Sequence, residues 1–309
     1  MSQHAEFIQQ FVNKAGMDGE LVGDVCRWKA EWRSASAMDL PIDAALLLAV
    51  GVDRLALAFA SGYQSALKAM VPQLEPEDLA SLCVTEEAGN RTRHIETRLQ
   101  AVGEGYELNG SKKFITCAVE SDRLLVAASM GQDEQGRNRI GVVNIASNAA
   151  GVVIEEMPPL GFVPEVSHGL VSFENVAVES SQLLSGDGYE RYVKPFRTVE
   201  DIHVNAAVLA YLYGVAQRFR WPLEIQESLL LLLLEARELS TWDPSSVHGH
   251  LLLEVHLQQV ARLVEDVQPL WGAESCEESQ RWRRDKKLLG VAASMREQRL
   301  KKARAMVAG

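Results

Sequence analysis

The stretch that most restricts the fold of this chain runs from Leu82 to Thr116, LCVTEEAGNRTRHIETRLQAVGEGYELNGSKKFIT. Within it, Tyr106-Glu107-Leu108-Asn109-Gly110-Ser111-Lys112-Lys113-Phe114-Ile115-Thr116 alternates apolar and polar residues on either side of Asn109-Gly110. Asn-Gly best supplies the two positive φ angles of a two-residue turn, so the pattern predicts a β-hairpin reversing at that pair. Upstream, Thr85-Glu86-Glu87-Ala88-Gly89-Asn90 sets a hydroxyl ahead of a Gly-Asn turn. Such a turn either presents backbone N–H groups to a phosphate or simply reverses the chain.

The pattern changes character twice along the chain. Residues 1–80 read helical: Phe7, Ile8, Phe11 and Val12 keep helical spacing, and Ala44 to Met70 is rich in Ala and Leu, with Gly51 and Gly62 as breaks or close-packing points. Val71-Pro72 closes this region, and Glu77-Asp78 suits the first turn of a short helix leading to Leu82. Residues 81–182 read as β: Arg123 to Ser129, Arg139 to Ile145 and Gly151 to Ile154 are short apolar runs bounded by turn residues. A small antiparallel barrel or sandwich needs that pattern. Residues 183–309 return to helix, at about 190–219, 223–240, 246–270 and 281–307, and four helices packed together are the simplest outcome. The six leucines at 229–234 are apolar on every face, which places their helix between others. The expected class is α+β, with an N-terminal helical domain, a central antiparallel β-barrel or sandwich and a C-terminal four-helix bundle.

Composition narrows the function classes. A chain of 309 residues, 47% of them hydrophobic, has ample material for a globular core. Its formal charge of −11 argues against a nucleic-acid partner, which requires a basic footprint. Cys26, Cys83, Cys117 and Cys276 show no metal-ligand spacing, and His248-Gly249-His250 lacks a third ligand, so no metal is expected. The longest apolar run, Leu229 to Leu234, is too short to span a bilayer, and with no leader-like N-terminus the expected location is the cytoplasm, away from membranes.

Taken in order, Cys83-Val84-Thr85-Glu86-x-Ala88-Gly89, Tyr106-x-Leu108-Asn109-Gly110-x-Lys112-x-Phe114-Ile115-Thr116, Leu160-Gly161 and Phe173-Glu174-Asn175-Val176-x-Val178 resemble the central β-domain of the acyl-CoA dehydrogenases. The resemblance implies a flavoprotein that uses FAD to remove two hydrogens across the α and β carbons of an acyl-CoA thioester. By resemblance, Phe114 covers the isoalloxazine ring, Ile115 lies beside it, Thr116 sits near N5, and Val84 and Thr85 meet the pyrimidine edge. Gln268 and Gly272, in Asp266-Val267-Gln268-Pro269-Leu270-Trp271-Gly272, resemble the stretch that contacts the adenosine half of FAD, commonly from a neighbouring subunit. The family's assembly as a dimer or larger oligomer also follows by resemblance.

The family also implies a catalytic glutamate, because the α-proton of a thioester leaves only to a carboxylate within hydrogen-bond reach. Arg284-Asp285-Lys286-Lys287 and Gln298-Arg299-Leu300-x-x-Ala303-Arg304 resemble the flanks of the segment that carries it. Counting between those flanks puts the position at Ala292 or Ala293, neither an acid. An alternative family position, on the first helix of the C-terminal region, falls at Val204, with Glu200, Asp201 and His203 nearby. Arg91, Arg218 and Arg220 are candidate phosphate contacts, and Glu87 stands where the family carries proline. Three readings stay open: a degenerate or partner subunit of a heteromeric dehydrogenase, an independent dehydrogenase with a relocated base, and a flavin-free scaffold or CoA-thioester binder.

Overall fold

A computed structural model describes residues 3–17, 19–35, 38–291 and 293–308. Two compact units divide the chain, one of Met1–Glu77, Leu160–Glu165 and Thr198–Gly309, the other of Asp78–Pro159 and Val166–Arg197.

The first unit is helical. Its N-terminal part comprises α1 (Gln3–Ala15), α2 (Val25–Ala35), α3 (Pro41–Ala49) and α4 (Leu55–Met70). Phe7 and Phe11, four residues apart on α1, are buried, and the Phe11 ring centroid lies 5.3 Å from that of Tyr213. α3 opens with a proline at its first position, where no N–H is needed, and is buried along almost its whole length. The Ala- and Leu-rich run breaks at Gly51 as its sequence predicts, whereas Gly62 stays inside α4.

The C-terminal helices are α5 (Lys194–Arg218), α6 (Leu223–Leu239), α7 (Val247–Asp266), α8 (Gln268–Ala273), α9 (Glu277–Asp285) and α10 (Ala293–Ala308), with α7 packed against both α6 and α10. A 3-10 turn over Lys286–Gly290 splits the helix expected at 281–307 in two. The leucine run is buried on one face only: Leu229, Leu232 and Leu233 are enclosed, while Leu231 is 59% exposed. A core of indoles lies beneath these helices, with Trp271 and Trp282 stacked at a centroid distance of 5.2 Å.

Two glycines set how closely α5 is approached. A Cβ on Gly62 would lie 2.6 Å from Val204 Cα, and one on Gly214 would lie 2.1 Å from the Val50 carbonyl oxygen. Gly62→Ala is therefore expected to destabilise by about 1–3 kcal/mol, because the obstructing atoms are backbone and must move as a helix. Thermal unfolding against wild type measures this, and an unchanged midpoint would refute it.

The second unit is a seven-stranded sheet: β1 (Ala80–Cys83), β2 (Arg98–Val102), β3 (Gly105–Thr116), β4 (Arg123–Gln132), β5 (Asn138–Ala146), β6 (Val152–Glu156) and β7 (His168–Val178). The order is β1-β4-β2-β3-β7-β6, with β5 on β4, and the pairs are antiparallel except β1 and β2 on β4. Leu108, Ile115, Leu124, Val126, Val143, Val171, Phe173 and Val176 form its core. No short helix forms after Pro76; Asp122 accepts the Leu79 N–H at 3.0 Å and draws the chain into β1.

Asn109-Gly110 does not turn. β3 runs straight through both residues, and the chain reverses at Gly103-Glu104, where Val102 pairs with Gly105 and Gly103 takes a φ of 60°. Gly110 has two other reasons to be glycine: a Cβ there would lie 2.6 Å from Thr97 Cα, and β3 slips in register against β7 between Leu108 and Gly110. Asn109 Oδ1 accepts the Asn175 N–H at 2.8 Å, so the side chain ties β3 to the bulge, whose extra residue is on β7.

Candidate functional site

The second irregularity of β3 builds the most unusual surface of the sheet. Between Lys112 and Ile115 the strand again slips against β7, and the extra residue, Phe114, takes a left-handed φ of 58°. A bulge re-aims side chains, and the Phe114 ring, in a sequence position flanked by core residues, is 52% exposed. Three residues on, Cys117 has a φ of 56°. Each such conformation costs a non-glycine residue on the order of 1–3 kcal/mol, and persists only where its surroundings impose it.

Thr85 O accepts the Lys113 N–H at 2.8 Å, which docks the end of β1 beside the bulge. Val84 is buried there and Thr85 half-buried. Thr116 is half-buried, and its carbonyl accepts from Ser81 Oγ at 2.7 Å. The structure thus brings Val84, Thr85, Phe114 and Thr116 to one edge of the sheet, whereas the Ile115 side chain points into the core. Lys113 Nζ lies 5.3 Å from the Phe114 ring centroid and is bound to Glu87 at 2.7 Å.

Beneath this edge lies an ion pair that the motif reading did not single out. Lys112, with 0% of its side chain exposed, donates to Glu86 Oε1 at 2.6 Å and to Val84 O at 3.3 Å. Glu86 also accepts the N–H groups of Glu96 and Thr97, at 2.7 and 3.1 Å. Burial pushes the Glu86 carboxyl up, but the Lys112 ammonium and the two N–H donors outweigh it and hold the group below the usual range. Burial also pushes the neighbouring Cys83 thiol up to about 12, so it stays protonated. The available signal was the alternation itself: it points Lys112 inward, and an inward lysine requires a carboxylate.

Of the remaining candidates, Gln268 and Arg218 are engaged within the helical unit. Gln268, at the start of α8, donates to Val264 O at 2.6 Å and accepts from Lys286 Nζ at 2.6 Å. Gly272 is exposed, and a Cβ there would meet nothing within 4 Å. Arg218 is bound to Glu278 at 2.6 Å, while Arg220 and Arg91 are exposed. Ala292 lies outside the described residues, and Ala293 begins α10.

On α5, Glu200 is half-buried and Val204 buried. Asp201 is enclosed: Oδ1 receives Arg296 Nε at 2.9 Å and Nη2 at 2.8 Å, and Oδ2 receives Arg299 Nη2 at 2.8 Å. His203 is buried with Nδ1 2.6 Å from Ser65 Oγ, and burial pushes its imidazole down to about 3. It is therefore neutral at physiological pH and takes up no proton there.

A sequence profile of the acyl-CoA dehydrogenase middle domain matches residues 81–176. An acyl-CoA dehydrogenase of Alternaria alternata, AFT10-1, is 31% identical over 118 residues, which are 38% of this chain but 27% of that protein. Butyryl-CoA dehydrogenase from Megasphaera elsdenii superposes on 100% of this chain and 99% of its own, with a TM-score of 0.71 at 15% identity. FMN-bound TdsC from Paenibacillus sp. A11-2 covers 96% of this chain and 95% of its own, with a TM-score of 0.67 at 16% identity. At those identities the two structures speak for the fold. Residues 81–176 thus carry the acyl-CoA dehydrogenase middle domain, and the chain as a whole has the fold of the acyl-CoA dehydrogenase structures, while it spans well under half the length of the curated relatives it matches.

A flavin is the group these residues must be tested against. An exposed aromatic ring presented by a strained bulge, with the half-buried Thr85 and Thr116 in the neighbouring chain, offers a planar apolar contact of the kind an isoalloxazine takes. Gln268 has both ends of its amide bonded within its own unit, so an adenosine contact there requires Lys286 to give way. Among the described residues, no helix is long and apolar enough to cross a membrane.

Proposed function

We propose that this chain binds FAD and an acyl-CoA thioester but does not supply the base, acting as the partner subunit of a heteromeric acyl-CoA dehydrogenase. The observation that carries this reading is the enclosure of Asp201, whose two oxygens are occupied by Arg296 and Arg299. A general base needs an oxygen within reach of the substrate proton, and this one has both turned to arginines. The position between the family-like flanks holds alanine at both Ala292 and Ala293.

Bound FAD would supply the acceptor for the hydride leaving the β-carbon. Phe114 would provide the apolar contact to its ring, Thr116 and Thr85 hydroxyls along the ring edge, and Val84 a buried wall. Gln268 and Gly272 would serve the adenosine side, where a second subunit commonly meets the cofactor in this family. The carboxylate that takes the α-proton would come from a related full-length chain across a dimeric or larger interface.

The test is the visible absorption of the purified chain with added FAD, followed by turnover of acyl-CoA with an electron acceptor. The reading expects a flavin band, no turnover by the chain alone, and turnover on mixing with a glutamate-bearing homologue. Turnover by the chain alone that Glu200→Gln abolishes would replace it with an independent enzyme. Absence of a flavin band at any FAD concentration would replace it with a flavin-free thioester binder.

A further inference from the structure

The segment from Phe114 to Cys117, left-handed at its first and last residues, is braced from behind by two buried serines. Ser81 is 0% exposed and Ser121 6%. Ser81 Oγ donates to Thr116 O at 2.7 Å, Ser121 Oγ donates to Cys117 O at 2.7 Å, and the two hydroxyls are in contact with each other. Cys117 N donates to Ser167 O at 2.9 Å on the other side. Gly169, whose Cβ would lie 2.6 Å from the Ala118 Cβ, lets the chain pass close by.

An interior hydroxyl is unfavourable unless it is bonded, and alanine would fill either serine position almost as well. The two hydroxyls therefore matter for what they hold. Each serine has one proton, so two protons serve three short contacts. Whichever way they are arranged, at least one of the two carbonyls keeps a full hydrogen bond.

Resting on the flavin reading of the Phe114 face, we propose that Ser81 and Ser121 are positioning residues for it. Acting through the Thr116 and Cys117 carbonyls, they hold the stretch between the two left-handed residues and so fix the direction in which Phe114 and Thr116 are presented. Neither serine touches the ligand. The pair is redundant by construction, since removing one hydroxyl leaves the other free to bond its own carbonyl.

The experiment compares Ser81→Ala, Ser121→Ala and the double variant by FAD dissociation constant, by visible circular dichroism of the bound flavin, and by amide hydrogen exchange. Each single variant should weaken FAD binding by no more than about threefold, and the double variant by about tenfold or more. The double variant should also alter the flavin dichroism and speed exchange at Phe114–Cys117 by about tenfold relative to the rest of the sheet. Val143→Ala, a core deletion in β5 away from the bulge, controls for general loss of stability and should leave the flavin dichroism unchanged. A double variant with wild-type affinity, dichroism and exchange overturns the proposal. If wild type takes up no flavin, the flavin reading fails, and exchange at Phe114–Cys117 still decides the brace: unchanged exchange in the double variant refutes it.

Discussion

Lys112→Met is expected to destabilise the β-unit by about 3–5 kcal/mol, the range for removing one partner of a buried ion pair. The substitution keeps the volume of the lysine stem but leaves Glu86, 9% exposed, with only the N–H groups of Glu96 and Thr97 for its negative charge. Adding Glu86→Gln should restore much of the loss, because the uncharged amide oxygen still accepts one of those N–H groups. Urea unfolding of the two variants reads both effects, and a midpoint equal to that of wild type for Lys112→Met would refute the first. The pH dependence has a definite sign. Glu86 titrates below the usual range in the folded state, so its contribution is complete above the unfolded value near 4.3 and is lost as pH falls through the lower folded value. Without the ammonium, burial governs and raises the carboxyl, so in Lys112→Met acid sensitivity should begin at a higher pH than in wild type.

This pair also shows where sequence reading stops. Helix and strand regions were legible because periodicity and punctuation are local: Val71-Pro72 does end α4 at Met70, and Phe7 and Phe11 do form a buried face. The ordered motifs around Val84, Thr85 and Phe114 were legible as a family pattern. Asn109-Gly110 misled because a turn signal and a bulge signal use the same residues, and what decides between them is Thr97, twelve and thirteen residues upstream and across a strand. The leucine run misled because composition gives no direction; only the packing of α6 against α7 leaves Leu231 outside. Nor does sequence show that Phe114 is left-handed or that serines 40 residues apart share one contact. Strain and its restraint are properties of tertiary structure.

Asp201 is the clearest instance, since on α5 it reads as a spare acid and in the fold it is the centre of an ion cluster. Asp201→Asn is expected to destabilise the helical unit by about 2–4 kcal/mol, toward the lower end for buried pairs because Arg296 and Arg299 retain 20% and 15% exposure. An asparagine offers one oxygen and an NH2 donor, so it cannot meet both guanidinium groups, and one would face another donor. A base would behave in the opposite way: the same substitution would leave stability nearly intact and abolish turnover, by the factor of about 10²–10⁴ that general base catalysis supplies. Thermal unfolding together with turnover per folded molecule in the mixed assembly separates the two roles. Stability lost with turnover retained is the expected result; turnover lost at wild-type stability would make Asp201 catalytic and overturn the partner-subunit reading. Both arginines belong to α10, and Arg299 lies in Gln298-Arg299-Leu300, which resembles a flank of the family's glutamate-bearing segment. In this chain that segment holds α5 through Asp201, and of the two neighbouring acids on α5 it is Asp201 that is committed to holding α10.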